Sequence, residues 1–75
     1  MHNYDDPLYI IKEWKDNNGT TILMWACYYN YYELAKLCLD LGVNKNYKNN
    51  LGSDAFYFAS DTRNNFEIIN LLNAN

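Results

Sequence analysis

Residues 16–26 read Asp16-Asn17-Asn18-Gly19-Thr20-Thr21-Ile22-Leu23-Met24-Trp25-Ala26, and their pattern returns at residues 49–59 as Asn49-Asn50-Leu51-Gly52-Ser53-Asp54-Ala55-Phe56-Tyr57-Phe58-Ala59. Gly19 pairs with Gly52, Leu23 with Phe56 and Ala26 with Ala59, each 33 residues apart. Asp16 with Asn49 and Thr21 with Asp54 keep the same offset. Further on the offset becomes 34: Glu33 with Glu67, Leu34 with Ile68, Leu37 with Leu71, and Cys38 with Leu72. One residue inserted in a turn accounts for the change. Caps, apolar positions and glycines recur in order, which marks a repeat of the length used by stacked supersecondary units.

Helix signals fill each copy. Thr20 and Thr21 offer an N-cap for the apolar run 22–27. Asn30 interrupts it, a second helix follows over 33–39, and Gly42 is a natural stop. Residues 43–51 are polar and Asn-rich, and read as a loop or tight hairpin. Asp54 then caps 55–59, and a break over 61–65 leads to a last helix from 66 to about 73. Upstream, Asp6-Pro7 reads as an N-cap followed by Pro at the first helical position, with Leu8, Ile11 and Trp14 at helical spacing. Asn17-Asn18-Gly19 ends that segment with residues that tolerate left-handed backbone. No stretch alternates long enough for a strand. The expected class is all-α, with short helices in antiparallel pairs.

At these residues the chain resembles an ankyrin repeat. Residues 16–26 are similar to the family's opening turn and first helix. Leu37-Cys38-Leu39-Asp40-Leu41-Gly42-Val43-Asn44-Lys45-Asn46 resembles its second-helix ending and following loop. The family's Thr-Pro-Leu-His reads Thr21-Ile22-Leu23-Met24 here, and Asp54-Ala55-Phe56-Tyr57 in the second copy. Cap and apolar residue survive; the helix-initiating Pro and the hydrogen-bonding His do not. The turn between helices is Asn30-Tyr31 where the family has Gly-His. The resemblance covers about residues 16–73 and implies an ankyrin-repeat solenoid of stacked antiparallel helix pairs with short hairpin-like loops. It divides a single domain, 1–75, into a tail and capping helix (1–15), a first repeat (16–48) and a degenerate C-terminal repeat (49–75).

Packing logic agrees. Ala26 and Ala59 are small where stacked first helices approach closely, with Leu23, Leu34, Leu37 and Phe56 filling the layer between helix pairs. One unit cannot bury its apolar face alone, so the first helix is expected to lay Leu8, Ile11 and Trp14 over the first repeat.

Composition narrows the function. A chain of 75 residues makes one domain at most, and burying only about 60% of its unfolded surface leaves it marginally stable. With 49% hydrophobic and 20% charged residues it is too apolar to be disordered. The formal net charge of -3 is spread along the sequence, which removes the footprint of a conventional nucleic-acid binder. No run reaches the roughly 18 apolar residues that span a bilayer, and the N-terminus lacks the pattern of a secretion signal. A cytoplasmic protein is expected, in the host cell if the source is a virus or phage. Abundant Asn, Tyr, Ile and Lys, all written with A/T-rich codons, suggest an A/T-rich genome such as that of a virus, phage or intracellular microbe. Cys27 and Cys38 sit in apolar helical patterns and read as buried reduced thiols.

No catalytic constellation is visible, so no enzyme, metal or cofactor is expected. The single histidine, His2, lies in the tail, and Asp5 and Asp6 read as charges at the first helix start. Tyr28, Tyr29, Tyr31 and Tyr32 cluster at the end of one helix and the following turn. Tyr32 aligns with Phe66 and reads as packed. The resemblance places Tyr28 and Tyr29 toward the family's ligand-contacting groove, the alternative being packing on neighbouring helices. Tyr is a favoured interface anchor. The same carry-over puts Asn17, Asn18 and Thr20 on the first hairpin and groove edge, and Tyr47, Lys48, Asn50, Leu51 and Ser53 on the second. Tyr47 and Leu51 would be exposed at a hairpin tip, unless Leu51 pins the loop. The expected function is a protein–protein interaction module that binds, and occludes or inhibits, a partner protein. The alternative is a self-assembling homodimer or larger oligomer, meeting through Ile69 and Leu72 on an unusually apolar last helix.

Overall fold

Asp16 and Asn49 shape their hairpins with the same set of bonds. Asp16 Oδ1 accepts the backbone N–H groups of Asn18 and Thr20, each at 2.9 Å. Asn49 Oδ1 accepts those of Leu51 and Ser53, each at 3.0 Å. In the main chain, Asp16 donates to Thr20 and accepts from Gly19, as Asn49 donates to Ser53 and accepts from Gly52. The 33-residue match is therefore repeated bond for bond. The computed structural model describes residues 7–61 and 66–74. The proposed Asp6 cap, His2, Asp5 and most of the 61–65 break lie outside the described residues.

Among the described residues the helices are α1 Pro7–Glu13, α2 Ile22–Tyr28, α3 Tyr32–Asp40, α4 Ala55–Ser60 and α5 Phe66–Ala74. The hairpin arms meet in an isolated antiparallel bridge, Lys15 with Thr21. Helix α2 starts where Thr21 Oγ1 accepts the Met24 N–H at 3.2 Å. Met24 Sδ accepts the Thr21 N–H in return, at 3.4 Å, completing a capping box without Glu or Gln. A buried thioether thus takes a backbone donor at the position where the family pattern has His. Asp54 caps α4 by accepting the Tyr57 N–H at 2.9 Å.

Two helix ends follow one design. After α2, Asn30 adopts φ 61°, while the Tyr31 N–H reaches Ala26 O and the Asn30 N–H reaches Cys27 O. After α3, Gly42 has positive φ, with Val43 donating to Cys38 O and Gly42 to Leu39 O. Both are Schellman closures, which need a left-handed residue just past the helix. Asn fills the first and Gly the second.

Helix α2 packs on α3 and α4, while α5 packs on α4 and α3, giving an inner layer of α2 and α4 and an outer layer of α3 and α5. The core joins Leu23, Ala26 and Cys27 to Ala35, Cys38, Ala55, Ala59, Ile68 and Leu72, all essentially inaccessible to solvent. Each fully buried Leu or Ile contributes about 1.5–3 kcal/mol. Ala26 and Ala59 are small because α2 and α4 approach here. Leu34 and Phe56 are half-buried against this core, and Leu37 is half-buried too, so the centre of the layer is built more from alanine and cysteine than expected. Cys27 and Cys38 are buried and free.

The capping helix corrects the expectation most. Only Ile11 of its expected trio packs against the core; Leu8 and Trp14 stay well exposed. Seven residues offer too short an apolar stripe to cover a repeat. At the other end, Lys45 Nζ donates to Leu72 O near the end of α5 and lies 6.0 Å from the Phe56 ring centroid.

Candidate binding face

The inner helices turn one side to the core and the other outward. On α2, Leu23, Ala26 and Cys27 face inward, which leaves Trp25, Tyr28 and Tyr29, spaced i, i+3 and i+4, on the opposite side. On α4, Ala55 and Ala59 face inward and Tyr57 turns out, while Phe58 is half-buried against the edge of the core. Phe58 stands 33 residues after Trp25, so the repeat sets the two rings side by side, 6.2 Å apart. The 33-residue register by itself aligns these two rings.

Six rings form a continuous surface. Trp25 stacks on Tyr29 at 5.9 Å, and Tyr29 on Tyr31 at 5.8 Å, both with 25° between ring planes. Tyr28 meets Tyr29 edge-on at 5.0 Å and Phe58 edge-on at 6.2 Å, and Tyr57 meets Phe58 edge-on at 5.7 Å. Tyr29, Tyr31 and Tyr57 each expose more than half of their surface. Tyr32 points the other way and is half-buried against the core. Such contacts hold rings in fixed positions, so a partner orders little when it binds.

The hairpin residues form a second group, at the N-terminal ends of α2 and α4, about 10 Å along the axis from the rings. Here the two repeats are tied together. The Asn50 N–H donates to Asn18 O at 2.8 Å, and Asn50 Nδ2 to Asn17 O at 3.5 Å. Asn17, Asn18, Lys48 and Asn50 are exposed, Ser53 is half-buried, and Leu51 is 76% exposed and pins nothing.

Three expected contact residues are placed elsewhere. Thr20 is buried, because its Oγ1 accepts Asn49 Nδ2 at 3.1 Å between the repeats. Tyr47 is half-buried and turned inward: its ring lies 5.3 Å from Lys15 Nζ and its hydroxyl closes over Gly19. A Cβ on Gly19 would sit 3.3 Å from that hydroxyl and from Asn50 Oδ1, and φ is +77° there, so any substitution is strained in its backbone and crowded by two side chains. Leu72 is fully buried, a core residue and not a contact for a second chain. Ile69 is half-buried, and the exposed apolar residue of α5 is Phe66.

The first hairpin and the core hold three titratable groups displaced from their ordinary values. The Thr20 N–H bond holds the Asp16 carboxyl below its usual 3.8, outweighing desolvation, with the Asn18 N–H adding to it. Burial pushes the Cys27 thiol up to about 12, reinforced by nearby Cys38, and Cys38 itself to about 11. Neither is a nucleophile at neutral pH. Among the described residues no three His, Cys, Asp or Glu side chains converge as a metal site. Two surface clefts, one of about 200 Å³ beside Lys12, Lys15, Thr21 and Tyr47 and one of about 350 Å³ beside Leu39, Val43 and Lys45, both lie away from the aromatic face. No described helix is long and apolar enough to cross a membrane.

A family model of ankyrin repeats, in three copies, matches residues 4–75. No curated protein and no solved structure matches the chain.

Proposed function

Because the chain belongs to the ankyrin-repeat family, whose members are protein-binding modules, we propose that it binds a partner protein across the aromatic face and acts by covering it. The observation that carries this reading is the continuous surface of Trp25, Tyr28, Tyr29, Tyr31, Tyr57 and Phe58. Apolar residues scattered singly need no explanation, but contiguous ones on a small soluble protein do. Aromatic anchors held by their neighbours are the groups that dominate interface energies.

Occlusion fits the scale. A standard interface takes about 800 Å² from each side, and the chain exposes 5132 Å² in all. A partner seated on the rings leaves the hairpin residues Asn17, Asn18, Lys48, Asn50, Leu51 and Ser53 as a rim. The abundance of Asn, Tyr, Ile and Lys fits an A/T-rich genome, of a virus, phage or intracellular microbe; in a virus or phage the partner is a host protein met in the host cytoplasm and inhibited there. Tyr28→Ala with Tyr29→Ala, in a chain whose far-UV circular dichroism is unchanged, removes capture of the natural host's partner. Leu51→Ser, at the hairpin tip, weakens it less. Undiminished capture by the double variant refutes the assignment.

Self-assembly is the second reading, now carried by Phe66, 74% exposed, with half-buried Ile69 one turn along α5. Sedimentation velocity over a hundredfold concentration range separates the two: a strict monomer removes self-assembly.

A further inference from the structure

We propose that Asn18 is a self-modifying site: its side-chain amide is lost by attack of the Gly19 nitrogen, and the stacking of the two repeats holds that reaction in check. Asn18 is the chain's only asparagine followed by glycine. Glycine has no side chain to shield its nitrogen, and Asn18 lies exposed to water at the first hairpin. The reaction balances without a cofactor. The Gly19 N–H gives up its proton and the nitrogen bonds to Asn18 Cγ, while the Cγ–Nδ2 bond breaks and ammonia leaves with that proton. Water then opens the succinimide ring at either carbonyl, leaving aspartate or isoaspartate.

The reacting peptide is held at both of its polar atoms. The Gly19 N–H donates to Asp16 O at 3.0 Å, and Asn18 O accepts the Asn50 N–H of the second hairpin at 2.8 Å. To attack, the nitrogen must give up the proton it shares with Asp16 O and turn toward Cγ. That turn is made about the Asn18 Cα–C bond and carries the oxygen with it, so both bonds break first. On either side, the Asn18 and Thr20 N–H groups are anchored on Asp16 Oδ1, each at 2.9 Å, and Asn50 Nδ2 reaches Asn17 O at 3.5 Å. The second hairpin has Leu51 in place of Asn18 and lacks the reacting amide.

The product acts on the same tie. In isoaspartate the main chain runs through Cβ and Cγ, one carbon longer, and a new negative charge stands two residues from Asp16. The Asn18–Gly19 peptide then no longer matches Asp16 O and Asn50 N–H together. A chain that has opened and reacted thus loses the link between its hairpins for good, which makes Asn18 a one-way record of loosened stacking. The site does not depend on the aromatic face.

The test incubates the full chain at mildly alkaline pH, native and in guanidinium chloride, and follows each asparagine by peptide mass spectrometry, with isoaspartyl methyltransferase labelling for the isoaspartate product. Unfolded, Asn18 should react ahead of every other asparagine. In the native chain it should react roughly thirty-fold more slowly, the scale set by two hydrogen bonds of ordinary net strength opening first. Asn49→Ala, which loosens the second hairpin, should react at a rate between the two while its circular dichroism matches the parent. The isoaspartyl chain, separated by its added charge, should unfold at lower urea than the parent. An unfolded chain that spares Asn18 overturns the site. A native chain as reactive as the unfolded one, or a folded Asn49→Ala chain as slow as the parent, overturns control by stacking. An isoaspartyl chain with the parent's urea midpoint overturns the loss of the tie.

Discussion

Asn49 is the residue whose replacement tests the stacking of the two repeats most directly. It is 6% exposed. Its Oδ1 holds the Leu51 and Ser53 N–H groups, and its Nδ2 donates to Thr20 Oγ1 of the other hairpin. Asn49→Ala removes three hydrogen bonds at about 1 kcal/mol net each. It also leaves partly buried backbone donors to find water, so the expected loss is about 3 kcal/mol. A chain of this length has a total stability of roughly 4–11 kcal/mol, and that loss is a large fraction of it. Asn49→Asp copies what the first hairpin does with Asp16. The carboxylate keeps both backbone bonds but loses the Nδ2 donor to Thr20, whose hydroxyl already serves the Asp16 carboxylate. Its cost at pH 7 is expected at about 1–2 kcal/mol, between the parent and the alanine variant. Urea unfolding followed by circular dichroism supplies the comparison, provided the slope of free energy with urea is the same for all three chains. An alanine variant within 0.5 kcal/mol of the parent refutes the reasoning. So does an aspartate variant as unstable as the alanine one, because the hairpins would then not be equivalent.

Other outcomes follow from the same structure. Asp16 has a folded pKa below its ordinary value of 3.8, so its contribution is present above that value and is lost as pH falls through the folded one. Asp16→Asn should flatten the acid limb of a stability–pH curve below about pH 4, and an unchanged limb counts against the hairpin bonds. For Cys27 and Cys38 the sign is opposite. Folded values of about 12 and 11, against an ordinary 9.0, give stability that is complete below pH 9 and falls as pH rises through the folded values. Alkylation of the native chain at pH 8 should accordingly be slow and accelerate sharply in urea; fast labelling without denaturant contradicts their burial. At Asn30, φ is 61°, so Asn30→Gly should be neutral to slightly stabilising and Asn30→Val should cost roughly 1–2 kcal/mol or more, both read from urea midpoints.

The local devices of the fold were legible in the sequence because each depends on a few neighbouring residues. Thr21 and Asp54 cap α2 and α4, Gly42 closes α3, and Asn30 takes the left-handed turn that its type allows. The repeat register located Ala26 and Ala59 at the helix contact. What failed were readings that required knowing which face meets which. Thr20 and Tyr47 lie in loops of ordinary polar composition, and nothing local shows that one is buried under Asn49 and the other over Gly19. Leu72 and Ile69 share an apolar helix, and only the packing of α5 on α3 and α4 sends one to the core and leaves the other half-exposed.

The binding face divides in the same way. The sequence by itself singled out Tyr28 and Tyr29 and left two readings open, groove contact or packing on neighbouring helices; the structure exposes both, opposite Leu23, Ala26 and Cys27. The sequence also determined the 33-residue spacing that sets Trp25 beside Phe58. Only the tertiary structure decided that Trp25, Tyr31, Tyr57 and Phe58 join those tyrosines in one surface. Helical periodicity fixes the direction of a side chain about its own axis, but distances between rings on α2, on α4 and in the Asn30 turn depend on how closely Ala26 and Ala59 let the two inner helices approach.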